Sequence, residues 1–144
     1  PIYRFVRDFY ARPVAVNDLG WVAYRNPNYV LDLWGLGYEP ARVARFASDV
    51  DAAAGRPRRP WVEQLVAARP VDLAIVYDEW FADMVPPGWT RVARLWRSHS
   101  HLTGNASVAF YAASPGAVAD ISVALQRFEN ALPPELRLEL LAAR

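Results

Sequence analysis

Two short apolar runs, Val14–Val16 and Tyr29–Leu33, flank a helix-like piece, Leu19–Arg25, and this triplet constrains the fold more than any other feature of the chain. Each run is the length of a strand and stops at polar or glycine residues: Asn17-Asp18 after the first, Gly35 and Gly37 after the second. Strands joined through a helix are not hairpin partners. They predict parallel neighbours with a right-handed crossover, which is half of an α/β unit.

The same rhythm continues on both sides. Ile2–Ala11 places Ile2, Phe5, Val6 and Phe9 at helical spacing, and Arg12-Pro13 ends it. Pro40–Ala54 reads as a helix with Val43, Phe46, Ala47 and Val50 as its apolar stripe. Gly55–Pro60 reads as a loop, and Trp61, Val62, Leu65 and Val66 mark a further helix stopped by Arg69-Pro70. Val71–Tyr77 is apolar enough for a central strand, and Asp78–Met84 reads as a short helix. Thr90–Arg97 and Ser107–Ala113 read as two strands whose linker, Ser98–Ala106, is short enough for an antiparallel pair. Ser114-Pro115 opens a helix with Val118, Ile121, Leu125, Phe128 and Leu132 on one face, and Glu135–Ala143 reads as a last helix. The expected fold is α/β: a three-layer sandwich around a mixed, mostly parallel sheet of about five strands with an antiparallel edge hairpin.

With 144 residues and 53 % hydrophobic composition, the chain can bury a full core as one domain, residues 1–144. The net charge of +1 gives no global field for nucleic acid, so no such partner is expected. All 16 basic residues are Arg, as a GC-rich coding bias produces. The absence of Cys removes disulfides, thiolate metal sites and Cys nucleophiles. No apolar run is long enough to cross a membrane. Residue 1 is Pro rather than Met, so a piece of a larger protein is the expectation.

In open α/β sheets ligands gather beyond the carboxyl ends of the strands. Those ends carry the candidate binding residues Asn17, Asp18, Asp32, Trp34, Asp78 and Glu79. Asp18 and Asp78 also stand where helices begin, so N-capping is an alternative role for each. Asp32 lies inside an apolar run, where a carboxylate needs an Arg, backbone N–H groups or a helix N-terminus. Trp21, Trp34 and Trp80 all lie near strand ends. His99 and His101 make an incomplete zinc set, Arg56-Pro57-Arg58-Arg59 is a locally basic loop, and Asn105-Ala106-Ser107 matches a glycosylation sequon. No serine stands in a nucleophile elbow. No catalytic residue, metal or cofactor is assigned.

The string Val30–Gly37, VLDLWGLG, resembles the nucleotide loop of S-adenosylmethionine methyltransferases, but Trp34 occupies the tight-turn position that such loops give to glycine. A second resemblance covers Tyr3–Leu36. Asn17-Asp18-Leu19-Gly20, Tyr24 and Val30-Leu31-Asp32-Leu33-Trp34-Gly35-Leu36 resemble the start of the soluble C-terminal domain of bacterial polytopic (C-type fold) membrane glycosyltransferases that use polyprenyl-phosphate-linked sugars. That resemblance implies an extracytoplasmic accessory domain following a transmembrane bundle. Its partners would be that bundle and a glycan or lipid-linked sugar. The catalytic acids of such enzymes lie outside this region, so none is carried over. The alternatives are a small Rossmann-like nucleotide- or S-adenosylmethionine-binding enzyme and a stand-alone interaction module.

Overall fold

The computed structural model describes residues 1–58, 60–97 and 107–141. Helix α1 (Ile2–Arg4) runs on as a π-helix over Phe5–Tyr10 and ends at Ala11, which is left-handed (φ 50°) and donates to Val6 O at 3.0 Å. There follow β1 (Val14–Val16), α2 (Gly20–Ala23), β2 (Val30–Asp32), α3 (Glu39–Ala53), α4 (Trp61–Ala67), β3 (Leu73–Tyr77), α5 (Asp78–Phe81), β4 (Thr90–Arg97), β5 (Val108–Ala112), α6 (Val118–Glu129) and β6 (Leu136–Leu140).

One sheet of six strands, in the order β2-β1-β3-β5-β4-β6, forms the middle layer. The chain steps from β1 to β2 on one side of β1 and returns to β3 on the other. Two right-handed crossovers moving in opposite directions must cover opposite faces. Val22 of α2 accordingly packs into one core, while Ala41 of α3 and Trp61, Val62 and Val66 of α4 pack into the other.

Strand alternation supplies both cores. Val14, Val16, Leu73, Ile75, Phe110 and Ala112 point to the first, where Phe5, Val6, Ile121, Leu125 and Phe128 fill the space beneath α1 and α6. Phe5 sits 5.3 Å from Phe110, edge to face, and 5.1 Å from Phe128. Ala15, Leu31, Leu33, Ala74, Val76, Ala109 and Tyr111 point to the second.

Two details depart from the sequence reading. Glu135–Ala143 was expected as a helix, but Leu136–Leu140 is a strand paired antiparallel with β4. Leu, Arg and Glu favour helix, yet LRLEL also alternates with period two, and the open edge of β4 rewards that period. Leu138 is buried, and Glu139 lies opposite Arg94. The sheet therefore has six strands rather than about five, and only two of its five pairings are parallel, β1–β2 and β1–β3. His99 and His101, the Asn105 sequon and Arg59 lie outside the described residues.

Candidate functional site

Between β1 and β3 the strand order reverses, and the crevice beyond their carboxyl ends is the place where open α/β sheets bind ligands. The last parallel pair there is Val16–Ile75. One residue further on, Asn17 is 1 % exposed, and its Oδ1 accepts the Tyr77 N–H at 3.1 Å. That bond fixes the amide, because a flipped Asn17 would set its NH2 against the Tyr77 N–H. Its Nδ2 has no hydrogen-bond partner among the described residues. The crevice above has a volume of about 360 Å³, and its walls include Asn17, Asp18, Trp21, Ile75, Tyr77 and Val108.

Asp18 is exposed at the mouth and makes no cap to α2, which starts at Gly20 with Leu19 as N-cap. Partial burial, and secondarily the Asp18 carboxylate, push the Tyr77 phenol above its ordinary pKa. Trp21, 75 % exposed, stands edge-on to Tyr24 at 5.4 Å. On the other side Tyr77 contacts Trp80 at 5.1 Å, and Trp80 contacts Trp34 at 6.0 Å. The Arg45 guanidinium covers Trp34 at 4.3 Å and donates to its carbonyl at 3.1 Å. Aromatic surface thus extends along the carboxyl-terminal edge of the parallel strands.

Asp32 has a different role. Its Oδ1 accepts the Trp34 and Gly35 N–H groups, both at 2.9 Å, and its Oδ2 accepts the Gly37 N–H at 2.6 Å. The side chain is buried and its acceptors are taken up by its own turn. The glycine N–H groups that would cradle a nucleotide are therefore occupied from within. Gly35 is required, since its φ is +81° and a Cβ would lie 2.4 Å from the Arg42 nitrogen. Gly37 lets Leu19 pack 3.2 Å from where a Cβ would be, which joins the turn to the start of α2.

Asp78 does not cap α5; it is the first residue of that helix. Its carboxylate receives Arg94 Nε at 3.0 Å and the Tyr111 hydroxyl at 3.0 Å, and Arg91 donates to that hydroxyl at 2.7 and 2.9 Å. Sequence reading missed both arginines. Residues three apart on a strand normally point to opposite faces, but a bulge between Arg91 and Ala93 turns Arg91 and Arg94 to the same side. Burial raises the Tyr111 pKa, and the bond to Asp78 adds to the rise, against the lowering effect of Arg91. Glu79 is exposed on α5.

Of the six candidates, Asn17 and Asp18 line the crevice and Trp34 lies in the aromatic row. Asp32 and Asp78 are engaged in the fold. Tyr77 was overlooked because a strand-ending tyrosine carries no distinct sequence signal. No group of three or more His, Asp or Glu that could hold a metal occurs among the described residues. A family model described as Domain of unknown function (DUF8728) matches residues 1–111, a span that holds the whole crevice and α3. No curated protein and no solved structure matches the chain.

Proposed function

The chain belongs to the family that its residues 1–111 match, Domain of unknown function (DUF8728), and from the sequence resemblance we propose that it is an accessory, non-catalytic domain of a bacterial membrane glycosyltransferase using polyprenyl-phosphate-linked sugars. In this reading it stands on the extracytoplasmic side, docked on the transmembrane body of its parent protein, and assists in holding an acceptor glycan. The segments that resemble such domains, Asn17–Gly20, Tyr24 and Val30–Leu36, build one continuous unit of β1, α2, β2 and the Asp32 turn, which leads directly into α3.

One observation carries the docking: α3 turns its apolar stripe outward. Val43, Phe46 and Val50 are 55, 69 and 48 % exposed, whereas Ala41, Ser48 and Asp51 are buried. A helix serving only its own core does the reverse. Beside the stripe runs a groove of about 680 Å³ between α3 and α4, lined in part by Pro40, Val43, Ala47 and Trp61. This is the shape that receives a packed helix.

Charges near the stripe are already paired within the chain: Arg42 with Glu39, Arg58 with Asp49 and Arg56 with Asp51. A face that is apolar at its centre and neutralised at its rim can be covered by an apolar helix without stranding an ion. The partner it fits is a helix of the parent's membrane body.

The reading frame upstream of residue 1 tests this. Several apolar spans of about 20 residues support the proposal, and a soluble start within a few residues overturns it. A concentration-dependent dimer of the isolated domain that Phe46→Glu dissolves would assign the face to a second copy instead.

A further inference from the structure

We propose that the crevice between β1 and β3 binds the ring of an uncharged saccharide, with Asn17 as the floor donor and Trp21 as the stacking wall. The argument begins with the amide. A buried N–H without an acceptor costs about 1–3 kcal/mol. Asn17 cannot relieve that cost by flipping, because its Oδ1 is committed to the Tyr77 N–H. The ligand that satisfies Nδ2 therefore presents an oxygen acceptor at the floor.

The walls select the rest of its chemistry. Ile75 and Val108 line the crevice with apolar surface, and Trp21 and Tyr77 add aromatic rings. Asp18, exposed at the mouth, is an acceptor for hydroxyl donors. Among the described residues no arginine or histidine side chain lines the crevice, and Asp18 at its mouth repels a phosphate. An apolar C–H face, hydroxyls that both donate and accept, and no negative charge together describe a sugar ring. The volume of about 360 Å³ is at the small end of ligand pockets and suits one ring with part of a second. Trp80, 54 % exposed and in contact with Tyr77, extends an aromatic surface along which a longer chain can continue.

This inference rests on the accessory-domain reading only for the source of the sugar. The crevice and the α3 face are separate surfaces, so either can fail alone. The test titrates neutral mono- to tetrasaccharides of glucose, galactose, mannose and arabinose into the 144-residue chain, with amide and indole NMR shifts as the readout. Glucose 1-phosphate and simple alkylamines serve as charged controls.

The expected result is saturable binding of at least one neutral sugar, with shifts at the Asn17 side-chain NH2 and the Trp21 indole. Trp21→Ala, at an exposed position, should raise Kd at least tenfold with the fold intact. Asn17→Asp keeps an acceptor for Tyr77 but loses the donor, and should weaken binding likewise. No saturable binding of any neutral sugar, binding indifferent to both substitutions, or tighter binding of a charged control would each overturn the proposal.

Discussion

Asn17 and Tyr77 are joined just past the end of the β1–β3 ladder, where the Asn17 Oδ1 takes the Tyr77 N–H at 3.1 Å in place of a backbone carbonyl. The side chain prolongs the pairing by one bond beyond the last parallel pair, at residues that line the crevice. Asn17→Leu removes the acceptor and leaves a buried N–H, so it should destabilise the domain by about 1–3 kcal/mol. Asn17→Asp should retain more of that stability than Asn17→Leu. Urea unfolding of the three proteins checks the order.

Asp32 organises the turn from β2 into α3 through its three backbone bonds. Asp32→Ala should cost about 3 kcal/mol or more, because charge-assisted bonds are stronger than neutral ones and three donors are left unpaired. Exposed Asp83→Ala should change stability by less than about 0.5 kcal/mol. Denaturant midpoints compared at equal slope provide the measurement.

Gly35 and Gly55 form a matched pair. Both have positive φ, +81° and +71°, but a Cβ on Gly35 would strike the Arg42 backbone, whereas nothing among the described residues lies within 4 Å of one on Gly55. Gly55→Ala should cost about 1 kcal/mol, the price of the left-handed conformation alone. Gly35→Ala should cost several times as much or abolish folding. Equal effects in thermal unfolding would contradict the geometry.

The buried tyrosines set an alkaline limit. Burial, aided by Asp72, pushes the Tyr10 pKa up to about 12, and burial also raises Tyr77 and Tyr111. Above pH 10 the unfolded chain releases these protons while the folded chain keeps them. The folded state then binds more protons, and stability must fall as pH rises from about 10 to 12. Tyr10 alone accounts for a loss of order 2 kcal/mol by the top of that window. Unfolding followed at pH 8 and pH 11 should show the drop, and Tyr10→Phe should reduce it.

Tyr111 bridges Arg91 and Asp78 through its hydroxyl. Tyr111→Phe keeps the ring in the core and should cost about 1–2 kcal/mol. Combined with Asp78→Ala, its effect should be less than additive by about 0.5 kcal/mol or more, since both changes break one network. Simple additivity would show that the three side chains act separately.

What the sequence made legible follows from how local each signal is. The β1–α2–β2 unit and the need of Asp32 for donors could be read because a short apolar run and a carboxylate inside it are local facts. The β6 strand was hidden because LRLEL satisfies both periods, and the decision lay with the distant edge of β4. The placement of Arg91 and Arg94 on one side, around Tyr111 and Asp78, was hidden by a bulge. Spacing shows that α3 has an apolar stripe but not which way the helix is turned. Its buried side includes the small residues Ala41 and Ser48, and the large residues of the stripe are left facing out. At the crevice, the polar strand-end residues Asn17 and Asp18 could be found, whereas Tyr77 acquires its place only when β3 lies beside β1.

The outward stripe is the most direct point of attack on the functional reading. The chain contains no cysteine, so Phe46→Cys in a cysteine-free parent protein supplies a single reporter on α3. Maleimide labelling should be rapid in the isolated domain, where Phe46 is 69 % exposed, and blocked in the parent protein in native membranes. Equal labelling in both would show that the face stays open and would contradict docking on the membrane body.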